Sequence, residues 1–162
     1  MIILGVDPGI ASVGYGVIEY KGNKFKVLEC GTFTTAAGLA LPKRLSEIYK
    51  FLTSLMGRHL IDAMAVEQLF FTKNISTGIP VAHGRGVILL AGELAGLTIA
   101  EYTPLQVKQA VVGYGKAEKH QVQAMVKMLF GLLEIPKPDD TADALAIAIC
   151  HAHSAGSLLA RL

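Results

Sequence analysis

A chain of 162 residues and 17.2 kDa can bury about two-thirds of the surface its unfolded form exposes, so one compact domain is expected. A hydrophobic share of 52% and a mean hydropathy of +0.46 exclude disorder. A membrane span is excluded too, because Glu93, His151 and His153 interrupt the most apolar stretches, 87–100 and 145–160, short of the roughly 18 apolar residues a span needs. The net charge of +2 hides an uneven spread: seven Lys/Arg against four Asp/Glu over residues 73–137, then one against three over 138–162. The opening MIILGVDPGI has no positive segment and reaches an acid at Asp7, so it does not read as a secretory signal, and the cytosol is the expected compartment. Cys30 and Cys150 form no CxxC pair and are expected as free thiols.

Residues 2–7 are a short apolar run closed by Asp7-Pro8-Gly9, which predicts a buried strand entering a turn. Residues 13–20 and 24–33 read as two strands joined by Lys21, Gly22 and Asn23 in a hairpin turn. Over 41–60, Leu41, Leu45, Ile48, Leu52, Leu55 and Met56 recur at helical spacing. A second buried strand follows at 63–67, ending in Glu67. Residues 78–97 predict a helix dense in glycine, 98–102 another strand, and 104–112, 118–130 and 141 to about 155 three further helices. A hairpin of strands followed by alternating helix and strand predicts an α/β layer fold with a mixed sheet.

Ligands in such folds gather outside the carboxyl ends of the parallel strands. Asp7 and Glu67 close two apolar strands and so fall at that rim. Singly, each is also explained as a turn former or a strand-end residue. Asp140 and Asp143, three apart at the start of the last helix, share one helical face, and capping chemistry explains them about as well as catalysis does. Asp139 points elsewhere if they point inward. Four carboxylates brought together repel one another unless a cation joins them. Oxygen-only ligands select hard cations, so Mg²⁺ or Mn²⁺ is expected and zinc is not. Two such ions about 4 Å apart are the arrangement for in-line displacement at phosphorus. Metal-dependent phosphodiester hydrolysis is the chemistry that follows.

Five ordered blocks carry a resemblance: Gly5-Val6-Asp7-Pro8-Gly9 with Gly14-Tyr15-Gly16; Val66-Glu67-Gln68-Leu69-Phe70 with Lys73-Asn74; Arg85-Gly86; Gln106-Val107-Lys108 through Gly113 to Ala117-Glu118-Lys119; and Asp140 to Asp143 with the apolar helix after it. From Met1 to about His153 the chain resembles the RuvC family of Holliday-junction resolvases, the crossover junction endodeoxyribonucleases. The resemblance implies an RNase H-like fold, with a five-stranded mixed sheet flanked by α-helices, as a single nuclease domain over 1–157 with a short tail at 158–162. It implies a homodimer that nicks two strands of like polarity symmetrically in four-way DNA junctions, in homologous recombination and DNA repair. Its implied catalytic and metal-binding residues are Asp7, Glu67, Asp140 and Asp143, holding two ions per site. RuvA and RuvB, the branch-migration proteins, are implied partners.

Further residues fall on the expected DNA side. By composition Phe70-Phe71 suits a core, but the resemblance assigns Phe70 to stacking on an unpaired junction base. Lys108 and Lys119 match basic positions beside the scissile strand, where a lysine offsets transition-state charge. Lys73 and Arg85 are further candidates for phosphate contact. The loop Gly113-Tyr114-Gly115-Lys116 lacks the spacing of a nucleotide-binding P-loop and better suits docking of Lys116 on a phosphodiester backbone. Gly92 and Gly96, four apart, leave two readings open, a dimer seam or close packing on the chain's own sheet. His83, His120, His151 and His153 need not enter the metal shell, since the third acidic position is Asp140. An actin-like ATPase shares the first turn, but 162 residues leave no room for its duplicated domain. A nuclease of the same core acting on structured RNA, or a non-catalytic junction-binding module, are the alternatives, the latter having no need of all four acids.

Overall fold

The computed structural model describes residues 1–69 and 75–159. Strands β1 (Ile2–Asp7), β2 (Ser12–Lys21) and β3 (Lys24–Thr34) form an antiparallel meander. At the β2–β3 turn Gly22 and Asn23 both take positive φ, +56° and +59°, the geometry whose twist matches paired strands. After α1 (Leu41–Arg58) comes β4 (Ala63–Glu67), then α2 (Ile75–Leu94) and β5 (Thr98–Tyr102). Three helices complete the chain: α3 (Pro104–Val112), α4 (Lys119–Phe130) and α5 (Asp139–Leu159). The five-stranded sheet has the order β3-β2-β1-β4-β5, with β1, β4 and β5 parallel, so the mixed α/β layer expected from the sequence is present.

Alternation along the strands divides the core between two helical layers. Leu4, Val6, Val17, Met64 and Val66 pack with Ile48, Leu52 and Leu55 of α1 and with Ile88 of α2. Ile3, Ile18 and Ala65 face the other way, toward α3, α4 and the fully buried run of α5 from Ala144 to Ile149. Among the described residues no helix is long and apolar enough to cross a membrane.

What distinguishes the α5 layer is how closely the helix backbone approaches the sheet. A Cβ on Gly5 would lie 2.2 Å from the Ala144 carbonyl oxygen, and one on Gly14 would lie 2.1 Å from that of Asp140. Gly14-Tyr15-Gly16 thus supplies a bare patch on β2, while Tyr15 between the glycines turns to the opposite face and meets Phe51 edge-on. Because Gly14 pairs with Asp7 across β1–β2, the same close approach seats the first turn of α5 beside Asp7.

Helix α2 begins three residues before its expected start and ends at Leu94. Gly96, at φ +71°, closes the turn after it, and the Leu97 amide donates to the Gly92 carbonyl at 3.1 Å. A Cβ on Gly92 would sit 2.3 Å from Cε of Met64. Gly92 packs closely on the chain's own sheet, and Gly96 terminates the helix. α5, expected to end near residue 155, continues to Leu159.

Gly14→Ala is expected to force α5 off the sheet. Overpacking of this kind costs about 1–3 kcal/mol, so the urea midpoint should fall, and an unchanged midpoint would show that α5 does not rest on this patch.

Candidate metal centre

The pairing of β1 with β4 ends at Val6 and Val66, so Asp7 and Glu67 are the next residues on two adjacent parallel strands, at one edge of the sheet. Val66 faces the α1/α2 layer and Ala65 the α5 layer, so alternation aims Glu67 toward α5. The first turn of α5 enters from above, carrying Asp140 and Asp143. One carboxylate oxygen from each of Asp7, Asp140 and Asp143 lies within 4.8 Å of the other two. Glu67 lies outside this triad and lines a cavity of about 220 Å³ together with Asp143, Lys108, Lys119 and the apolar Val107 and Val122.

The electrostatics follow from crowding like charges at a half-dry rim. Burial, then the charges of Glu67, Asp143 and Asp140, push the Asp7 carboxyl up to about 8, against a smaller opposing effect of Lys119. Burial and Asp143 raise Glu67 to about 7, opposed by Lys108 and Lys119. Asp143 is also raised by burial, with the Lys119 ammonium working against it. Lys119 Nζ lies 3.1 Å from Asp143 Oδ2 and 3.2 Å from Asp139 Oδ2. Burial opposes its charge, but these carboxylates outweigh it and raise its pKa.

Lys119 and Lys108 together cannot neutralise this many acids. The donor set is carboxylate oxygen throughout, the chemistry of a hard divalent cation. Three of these oxygens, from Asp7, Asp140 and Asp143, already converge to within 4.8 Å of one another. The residues therefore fit a divalent metal.

The ambiguity between the neighbouring aspartates resolves in favour of Asp140. Its Oδ2 accepts a short hydrogen bond from Ser12 Oγ, whereas the exposed Asp139 accepts from Gln123 Nε2 at 3.0 Å and pairs with Lys119. Asp139 is held below the usual carboxylate range by Lys119 and Gln123. Thr141 Oγ1 lies 3.0 Å from Thr32 Oγ1, a second pin between the start of α5 and the sheet.

Of the expected DNA-side residues, Lys108 and Lys119 reach the cavity and Lys116 is exposed in the loop between α3 and α4. Arg85 is tied to Glu101 and to the Glu67 carbonyl. Phe70 and Lys73 lie outside the described residues. The histidines are engaged elsewhere: His83 with the Ile79 carbonyl, His120 with Glu118, His151 with Tyr102 and His153 with the Ala110 carbonyl. Ser12 and the Arg85–Glu101 pair are contributors that sequence reasoning missed. A serine opening a strand and a glutamate within one carry no periodic signal.

A five-stranded sheet of this order, with acids at the ends of adjacent parallel strands and at the start of the covering helix, defines the RNase H-like class. The family model described as "Crossover junction endodeoxyribonuclease RuvC" matches residues 3–151, and the chain belongs to that family. A relative of that name from Alkaliphilus metalliredigens is 58% identical over 154 residues, covering 95% of this chain and 94% of its own. The Thermus thermophilus RuvC structure superposes with a TM-score of 0.90 at 37% identity, over 97% of this chain and 96% of that one. A second T. thermophilus structure, RuvC in complex with Holliday junction substrate, gives 0.89 at 34% identity with the same coverage.

The raised carboxyls predict how the metal-free protein responds to pH. Folding lifts the Asp7 carboxyl from 3.8 to about 8, so the folded chain keeps a proton the unfolded chain would release. That stabilisation is complete below about pH 4 and is lost as pH rises through about 8. Asp7→Asn should therefore melt several degrees above wild type at pH 8 without metal, at roughly 2–4 °C per kcal/mol, and close to it only below about pH 4. Added Mg²⁺ should raise the wild-type Tm and leave the variant nearly unmoved. A variant less stable than wild type at pH 8 would contradict an uncompensated cluster.

Proposed function

We propose that this chain is a structure-selective endonuclease that resolves four-way DNA junctions by metal-dependent hydrolysis of phosphodiester bonds. It acts in the cytoplasm, in recombination and repair, with residues 1–157 as one nuclease domain and 158–162 as a short tail. The observation that carries this reading is the convergence of Asp7, Asp140 and Asp143, with Glu67 sharing a cavity with Asp143, at the strand ends of a chain of this family.

In this reading Asp7, Glu67, Asp140 and Asp143 hold two Mg²⁺ ions, with Mn²⁺ able to replace them. The bound metal supplies the positive charge that activates water and stabilises the departing oxygen in an in-line displacement at phosphorus. Ser12 orients the Asp140 carboxylate toward the cluster rather than toward solvent. Lys119, held between Asp139 and Asp143 at the rim, places an ammonium where charge grows on a phosphate entering the cavity. Lys108, beside Glu67, does the same from the α3 side. The Val107 and Val122 wall keeps that side of the site dry, which strengthens each of these interactions. Lys116, and Lys73 and Phe70 from the segment beyond β4, complete the DNA contacts, Phe70 by stacking on a base at the crossover.

Symmetric nicking needs two sites, and a two-fold junction suits a two-fold enzyme. The outer face of α2 supports this: Ile79, Leu90 and Leu94 are each more than half exposed, and the first two line an apolar groove with Leu45 and Val87. A second copy of the chain covers that face in this reading, and RuvA and RuvB are its partners at the junction.

The test is nicking of mobile synthetic junctions in Mg²⁺, with linear duplex and structured RNA as competitors. Wild type should cut two strands of like polarity in the junction alone, and Asp7→Asn should cut at least about a thousand-fold more slowly. Leu90→Lys should sediment as a monomer and lose the paired second nick. Normal cleavage by Asp7→Asn, or preference for RNA, would overturn the reading.

A further inference from the structure

Arg85 lies on the inward side of α2, where its guanidinium is largely covered. Its Nη2 pairs with Oε2 of Glu101 on β5, and its Nε donates to the main-chain carbonyl of Glu67 at 3.3 Å. Glu101 stands in register with Val66, so one guanidinium bridges the ends of β4 and β5 at the level of the acids. The ladder between these strands extends one step further, through the Gln68 amide to the Tyr102 carbonyl at 2.8 Å. Gly84, immediately before Arg85, lets α2 press on the other acid-bearing segment: a Cβ there would lie 2.4 Å from the carbonyl oxygen of Gly9, in the turn after Asp7. A single turn of α2 therefore braces both chain segments that end in a site acid.

The direction of approach matters. The Glu67 side chain projects toward α5, while Arg85 comes from the α1/α2 side and meets Glu67 at its main-chain carbonyl. A planar fork can hold a carboxylate and a carbonyl at once, which an ammonium does poorly. Withdrawing it to meet a phosphate would leave Glu101 without its partner and free the end of β4.

We propose that Arg85 is a positioning residue, bridging Glu101 and the Glu67 carbonyl so that the Glu67 carboxylate is held in reach of the metal-binding acids, and not a phosphate contact. The proposal rests on Glu67 serving the metal site.

The variants are Arg85→Met, Arg85→Lys, Glu101→Gln and the Arg85→Met/Glu101→Gln double, compared with Glu67→Gln. Amide exchange at Gln68 in the metal-free protein should quicken in Arg85→Met and in Glu101→Gln. Single-turnover cleavage at saturating junction should fall about ten- to a hundred-fold in both, as misplacement of a reacting group by about an ångström does. Junction Kd without metal should stay within about two-fold of wild type, since no phosphate contact is lost. Arg85→Lys should recover little, and the double variant should be no worse than Arg85→Met. The assignment is overturned if Gln68 exchange is unchanged and Arg85→Met alone weakens junction binding, with a salt dependence shallower by about one phosphate contact and rescue by Lys. If Glu67→Gln cleaves at the wild-type rate, the metal-site reading falls and the proposal with it, an outcome distinct from the first.

Discussion

The structure depends on one close contact, the backbone of α5 lying directly on the glycines of β1 and β2. Asp140 and Asp143 reach Asp7 because no Cβ keeps the helix away, and Ser12 and Thr32 then pin its first turn to the sheet. Packing of this kind opposes electrostatics. The core holds together carboxylates that repel, and Asp7 responds by keeping its proton to about pH 8. Such a site trades stability of the metal-free chain for a high local affinity for cations, since whatever neutralises the cluster also removes the repulsion.

The same geometry explains why a nearly neutral chain can serve a polyanion. Positive charge is concentrated where a phosphate would enter, with Lys119 and Lys108 on the cavity and Lys116 in the adjoining loop. Asp139 belongs to this arrangement as the outer anchor of Lys119, which explains an acid next to Asp140 that does not point into the cluster. On the opposite layer α2 has two different faces. Gly84, Arg85 and Gly92 are directed at the chain's own sheet, while Ile79, Leu90 and Leu94 are directed outward. Any partner docked on the outer face would therefore bear on the helix that braces the ends of β1 and β4.

Much of this was legible in the residues. Apolar runs ending in Asp7 and Glu67 announced strands that deliver acids to one rim, and the three-residue spacing of Asp140 and Asp143 put them on one helical face. The part that was not legible depends on partners distant in the chain. Ser12 meets Asp140 across 128 positions, and Arg85 meets Glu101 across 16 through a helix-to-sheet contact that no periodicity encodes. The glycines of α2 misled for a related reason. Spacing of four suggests a shared face, but Gly96 adopts a left-handed conformation beyond the helix end, so the face does not exist. From the sequence Arg85 is a candidate for phosphate contact, and its partner Glu101 sits on another element.

Packing assembles an acidic cluster whose repulsion is relieved by a proton held on Asp7 without metal and by a divalent cation with it. Its most direct measurement is a carbon NMR titration of the aspartate side-chain carboxyls with and without Mg²⁺. Without metal, the Asp7 carboxyl should titrate near pH 8, and saturating Mg²⁺ should lower its midpoint. An Asp7 carboxyl that titrates near 4 in the metal-free protein, or one whose midpoint Mg²⁺ does not move, would contradict the account.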